Sequence, residues 1–178
     1  MDKSLKSTID NQKNYFKSKK TFNVEFRIQK LKDLLEEIKS SENDIELALF
    51  HDLGKSKGES YLTEIHFVYS EINIALRNLK KWTKRKAVRS TLLNFPSSDY
   101  IIAEPYGNTL HISPWNYPFQ LSIAPLIGAI AAGNTVVLKP SEYSNQTSQL
   151  LNKILSSVFD TGHVDVILGG PEISSNLL

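Results

Sequence analysis

From Phe119 to Leu138 the chain offers water almost nothing, and that run limits the folds open to it. Phe119, Leu121, Ile123, Leu126, Ile127 and Ile130 are apolar on nearly every side of a helix, so the helix belongs inside a protein. Pro118 suits its first turn, and Gly133-Asn134 ends it. Thr135-Val136-Val137-Leu138 follows at once as an unbroken apolar strand. Such a strand is expected in a parallel sheet covered on both faces.

The flanking segments extend this pattern. Thr109-Leu110-His111-Ile112 reads as a strand before the helix, in which His111 either faces an open side or marks relaxed constraint. A helix is expected from about Asn145 to Val158, capped by Ser144. Val164-Asp165-Val166-Ile167-Leu168 reads as a further strand ending at Gly169-Gly170. Strand, helix, strand, helix, strand is half of a doubly wound, Rossmann-like parallel sheet with right-handed crossovers. Upstream, Ser97-Ser98-Asp99 marks a turn and Tyr100-Ile101-Ile102-Ala103 a short strand.

The first half is helical and rich in Lys and Glu. Val24, Ile28, Leu31, Leu35 and Ile38 share one helical face. Ser41 with Asp44 reads as a capping box for a second helix, which carries Ile45, Leu49 and Leu53 and stops at Gly54. A third, long helix is expected from about Ser60 to Lys84, with Ile65, Val68, Ile72, Leu76 and Leu79 inward. The basic cluster Lys80, Lys81, Lys84, Arg85, Lys86 and Arg89 reads as a solvated helix end. The fold class is therefore α/β: a helical amino-terminal region, then an incomplete wound sheet.

Composition removes several functions. A net charge of +2 does not suit a nucleic-acid binder. The absence of cysteine rules out disulfides, thiolate metal sites and a cysteine nucleophile within this chain. His51 and His66 have no second ligand at metal spacing, so no metal site is expected. Met1-Asp2-Lys3-Ser4-Leu5-Lys6 lacks the apolar run of a secretory leader, and no stretch has the length of a membrane span. A cytoplasmic protein is the expectation.

In open parallel sheets, ligands bind beyond the carboxyl ends of the strands. Those ends are Ser113-Pro114-Trp115-Asn116-Tyr117-Pro118, Lys139-Pro140-Ser141-Glu142 and Gly169-Gly170-Pro171-Glu172. No GxGxxG fingerprint is present, so spacing alone gives an α/β unit with a polar rim.

Glu104-Pro105-Tyr106-Gly107, Pro114-Trp115-Asn116-Tyr117-Pro118-Phe119-Gln120, Pro125 to Asn134 and Lys139-Pro140-Ser141-Glu142 resemble the NAD(P)-dependent aldehyde dehydrogenase superfamily. The branch resembled is class 3, the fatty aldehyde and benzaldehyde type. Glu25-Phe26-Arg27, Asp52-Leu53-Gly54-Lys55 and Tyr61-Leu62-Thr63-Glu64-Ile65 resemble that branch's amino-terminal helices. The resemblance implies a helical region over 1–89, a strand of the bridging and oligomerisation region over 90–108, and a partial NAD(P)-binding unit over 109–178.

It also implies roles. Asn116 matches the amide that helps form the oxyanion hole, where a fixed donor stabilises charge developing on an aldehyde oxygen. Lys139 and Glu142 match the pair that hydrogen-bonds the adenosine ribose. A carboxylate there favours NAD, and Lys139 leaves NADP possible. Ser113, Pro114, Trp115 and Ser141 match the lining of the cofactor groove, and Gly169 and Gly170 a glycine pair beside the adenine side. Taken singly, Asn116 is also a loop-satisfying residue, Trp115 a core residue, and Lys139–Glu142 an exposed ion pair.

The family's thiol nucleophile, glutamate base and pyrophosphate turn are matched by nothing here, and the family's proteins are more than twice as long. An amino-terminal fragment, inactive alone and weak or absent in cofactor binding, is the expectation. Its partners would be further copies or a complementary carboxyl-terminal chain, because an open sheet edge and an apolar helix face favour association. The competing reading is a non-enzymatic interaction module or the remnant of a disrupted gene.

Overall fold

The computed structural model describes residues 3–178; the reading of Met1-Asp2 as part of a leaderless start lies outside them. Four helices lead: α1 (Lys3–Lys17), α2 (Val24–Ser40), α3 (Glu42–Leu53) and the single turn α4 (Lys57–Ser60). A π-helical turn at Tyr61–Ile65 joins α4 to α5 (His66–Trp82). A hairpin of β1 (Lys86–Val88) and β2 (Asp99–Ile101) follows. Then come β3 (Asn108–Ile112), α6 (Pro118–Ala132), β4 (Thr135–Lys139), α7 (Asn145–Val158), β5 (Val164–Val166) and α8 (Pro171–Leu177).

The sheet order β3-β4-β5 is parallel throughout, with Leu110 beside Val137 and Leu138 beside Val166. Every residue of β4 is buried, as its unbroken apolar run requires. Val136, Leu138 and Val164 pack with α6 and α7 on one face. On the other lies α1, where Gln12 Nε2 donates to the Val136 carbonyl at 2.7 Å. One apolar core runs on from there through Leu31, Leu34, Ile38, Leu49, Ile72 and Leu79, so the amino-terminal helices cover the layer built on the sheet.

Several local expectations are corrected. The capping box at Ser41 does not form: Ser41 makes no side-chain cap bond, and its Oγ turns back toward Glu37. Ser144 does not cap α7 either. Its hydroxyl turns to the Ser141 carbonyl, and a carboxylate from α3 takes its place. The long third helix starts at Lys57, is interrupted by the π turn and stops at Trp82. The last strand ends at Val166, although the Ile167 N–H still reaches the Leu138 carbonyl at 2.9 Å. The strand expected at Tyr100–Ala103 runs from Asp99 to Ile101, starting one residue earlier and ending two earlier, and pairs with Lys86–Val88, so part of the basic cluster is strand rather than helix end. Arg85 stacks on Tyr100 across that hairpin, 4.4 Å from the ring centre. His111 turns toward α6, not an open side; it lines a small hollow with Pro125, Leu126 and Ala129. Burial there lowers its pKa.

α6 is buried along most of its length, with Pro125, Gly128 and Ala132 left outward. Gly133 ends it at φ +94°, where a Cβ would meet Arg27 Nη2 at 2.7 Å, so only glycine fits. Among the described residues no helix is long and apolar enough to cross a membrane.

Candidate functional site

The strand ends expected to carry function lie side by side along the carboxyl edge of the sheet. Ser113 N donates to the Lys139 carbonyl at 3.1 Å, so the Pro114–Tyr117 loop starts against the Lys139-Pro140-Ser141-Glu142 loop. Gly169-Gly170 follows β5 on the far side of β4.

Ser113 is buried, and its Oγ lies 2.7 Å from Ser122 Oγ on α6. Ser122 in turn donates to the Pro118 carbonyl at 2.6 Å, so Ser113 is the donor of the first bond. Pro114, Trp115 and Asn116 project outward, and Trp115 is 54% exposed, so it is not a core residue. Among the described residues the Asn116 side chain has no hydrogen-bond partner, so its amide is not consumed in satisfying the loop. Tyr117 closes the loop in the left-handed region (φ 57°, ψ 53°) immediately before Pro118 at the first position of α6.

The second loop is built differently. Lys139 is 2% exposed, and its Nζ lies 2.6 Å from Glu142 Oε2, while Glu142 is partly open to water. Among the described residues Glu142 is the ammonium's single side-chain partner, although an ammonium carries three donors. The expected alternative of an exposed ion pair does not hold, because one partner is inside the protein. The Lys139 hydrogen bond, helped by Glu142's own backbone N–H, holds the Glu142 carboxyl below its usual range. Ser141 serves its own turn: its Oγ accepts from Tyr143 N at 3.2 Å, and its carbonyl accepts from Ser148 Oγ at 2.8 Å. Gly169 adopts φ +150°, where a Cβ would lie 2.5 Å from Ile173 Cγ1, and Gly170 leads directly into α8.

Both loops open into helices whose first amides are held by carboxylates from the amino-terminal helices. Glu64, fully buried in the π turn, accepts from Phe119 N at 2.8 Å and Gln120 N at 3.1 Å. Its other oxygen pairs with Lys55 Nζ, which also lies 4.0 Å from the centre of the Tyr117 ring. Asp52 accepts from Gln146 N at 3.0 Å and Thr147 N at 2.7 Å at the start of α7. At the other end of α6, Arg27 Nη1 donates to the Ala131 carbonyl at 3.1 Å. Sequence reasoning assigned no site role to Glu64, Lys55 or Asp52. Their one signal was that they fall within motifs quoted for the family resemblance.

An apolar hollow of about 210 Å³ lined by Arg27, Trp82, Glu104, Gly128 and Ala132 lies at the carboxyl end of α6, away from Asn116. Among the described residues no cluster of His, Asp and Glu could hold a metal ion.

The aldehyde dehydrogenase family model matches residues 2–178. The chain is 46% identical over 166 residues to 4,4'-diaponeurosporen-aldehyde dehydrogenase of Staphylococcus aureus, covering 93% of this chain and 36% of that protein. It is 42% identical over 171 residues to aldehyde dehydrogenase family 3 member B1 of Bos taurus, covering 96% of this chain and 36% of that protein. In structure it matches the substrate-bound state of Staphylococcus aureus AldH with a TM-score of 0.95 and 45% identity, over 97% of this chain and 38% of that one. The chain thus spans little more than a third of the length of these relatives. Matched from end to end, with both loops of the wound sheet side by side at its carboxyl edge, the chain belongs to the aldehyde dehydrogenase family.

Proposed function

We propose that this chain is the amino-terminal, cofactor-facing part of an NAD(P)-dependent aldehyde dehydrogenase and that it does not turn over aldehyde by itself. The observation that carries the cofactor reading is Lys139: a buried ammonium with one side-chain partner, beside a partly open carboxylate, at a strand end. Vicinal hydroxyls of a ribose fit that pair, accepting from Lys139 and donating to Glu142. The carboxylate weights the choice toward NAD, since a 2′-phosphate would meet like charge. By the family resemblance Gly169 and Gly170 stand beside the adenine side, and their missing Cβ atoms leave room for the Ile173 and Glu172 side chains of α8.

Asn116 supplies a donor for the aldehyde oxygen as negative charge develops on it. The attacking thiolate has to come from outside the chain, which has no cysteine. A complementary chain carrying the remaining segments is the partner this reading requires, in a cytoplasmic setting.

Two experiments test it. Titration of the isotope-labelled chain with NAD should shift the Lys139, Ser141 and Glu142 amides with an affinity no tighter than millimolar, and Glu142→Ala should abolish the shifts. No perturbation at these residues overturns the cofactor reading, and micromolar binding overturns the expectation that this chain alone holds nucleotide only weakly. A chimera placing this chain in the matching stretch of the staphylococcal relative should oxidise aldehyde, and Asn116→Ala should lower its kcat by about 100-fold. The isolated chain should give no turnover.

A second reading, an interaction module, is favoured by the hairpin. Leu92, Leu93 and Phe95 at its tip are 94%, 96% and 81% exposed. Such a cluster suits association with further copies of the chain. A monodisperse monomer by light scattering would count against it.

A further inference from the structure

We infer that Glu64 and Lys55 act together as positioning residues for Asn116; this rests on the reading of Asn116 as the oxyanion donor. Asn116 has no side-chain partner among the described residues, so its direction is set by whatever fixes the two ends of its loop. At the first end, Ser113 is tied to Lys139 through its N–H and to Ser122 through its hydroxyl.

The second end is more demanding. Tyr117 sits in the left-handed region, unfavourable for a residue with a Cβ, and makes no side-chain cap of its own. Pro118 has no N–H, so the first orphan donors of α6 are those of Phe119 and Gln120. Phe119 is fully buried, and no water can serve its amide without opening the core. One Glu64 oxygen accepts from both amides, and the other binds Lys55. The Lys55 ammonium then lies against the Tyr117 ring at 4.0 Å. That contact favours the cation electrostatically and holds the ring.

The two residues therefore divide the work. Glu64 sets where α6 begins, and Lys55 sets where the Tyr117 ring lies. Between them they hold the residue that follows Asn116. Lys55 also neutralises a carboxylate that would otherwise sit buried and unpaired behind a loop meant to meet negative charge. The π turn that presents Glu64 leaves Ile65 and Val68 in the core, so the carboxylate is added without loss of the helix's apolar face. A donor fixed in advance is what oxyanion stabilisation requires, because an amide that must reorient gives up part of its effect.

The test is nuclear magnetic resonance of the labelled 178-residue chain, with Glu64→Ala, Glu64→Gln and Lys55→Met. In Glu64→Ala the Phe119 and Gln120 amides should exchange about tenfold faster or more, and the Asn116 side-chain NH2 pair should move. Glu64→Gln keeps an acceptor oxygen and should restore much of the amide protection. Because Lys55 then has no anion, the Tyr117 ring and Asn116 signals should still move. Lys55→Met should shift Tyr117 and Asn116 while leaving the two amides protected. If Asn116 and Tyr117 stay fixed in Glu64→Gln and Lys55→Met, the inference is overturned and Glu64 is only a helix cap. Should Glu64→Ala not fold, those two variants decide the matter. No readout involves aldehyde or nucleotide. A wrong role for Asn116 is seen separately, as an unchanged kcat for Asn116→Ala in the chimera.

Discussion

The Lys139 ammonium lies 2.6 Å from the Glu142 carboxylate, and the two side chains differ sharply in exposure, 2% against 30%. The pair is thus asymmetric: the cation depends on the anion far more than the reverse. Glu142→Gln leaves a buried ammonium without its counter-charge and should destabilise the chain by about 1–3 kcal/mol. Lys139→Met leaves a carboxylate that water can serve and a side chain of similar volume, so it should cost no more than about 1 kcal/mol. Urea unfolding of the two variants checks the order, and equal losses would mean that the lysine is not held inside.

Arg27 closes the other end of α6. Its guanidinium donates to the carbonyls of Thr21, Phe22 and Ala131, and burial lowers its pKa without a carboxylate to offset the effect. Arg27→Met should cost about 2–4 kcal/mol in denaturant unfolding. Arg27→Lys should recover little of it, because an ammonium cannot span three carbonyls in the plane of a fork.

The two candidate caps of α7 can be told apart. Asp52→Ala removes the acceptor for two amides and a hydroxyl and should cost about 1–2 kcal/mol. Ser144→Ala removes a long bond to the Ser141 carbonyl and should cost about 0.5 kcal/mol or less. Thermal denaturation of both variants gives the comparison, and a larger loss at Ser144 would reverse the assignment.

His163 should make the chain sensitive to acid. It is buried, stacked on Tyr15 at 5.5 Å and set edge-on to Phe159 at 5.2 Å, and neither ring nitrogen has a partner among the described residues. Burial, reinforced by Lys30 and opposed by Asp160, lowers its pKa from 6.5 to about 4. The folded state therefore binds this proton less readily than the unfolded chain does. Its contribution is fully present above about pH 6.5 and is lost as pH falls toward 4. The melting temperature should drop across that window. The drop should be smaller in His163→Phe, which keeps the packing and has nothing to protonate. Identical slopes for the two proteins would remove His163 as the cause.

The order of elements from β3 to β5 was legible because each is dictated by its own residues, whereas α8, which follows Gly169-Gly170, reads only as a loop. Phe119 to Ile130 is too apolar for any surface, Pro118 and Gly133 mark its ends, and Val136 to Leu138 has no polar face to expose. The loops around Asn116 and Lys139 were legible for the same reason, as polar breaks between apolar segments. Burial of Lys139 was not, since a lysine beside a glutamate three residues on reads equally well as a surface pair. The failed caps at Ser41 and Ser144 share one cause. A serine before a helix is a sound local signal, yet a better-placed acceptor or a turn in its own loop can claim the hydroxyl.

The sequence by itself determined the alternation of strand and helix from β3 to β5, that their sheet is parallel, and that no thiol chemistry resides in the chain, because these follow from side-chain period and composition. Only the tertiary structure decided what holds the site. Glu64 reaches Phe119 across 55 positions and Asp52 reaches Thr147 across 95. No local pattern encodes such pairs, because a buried amide must be satisfied by whatever acceptor the packing of other helices brings to it.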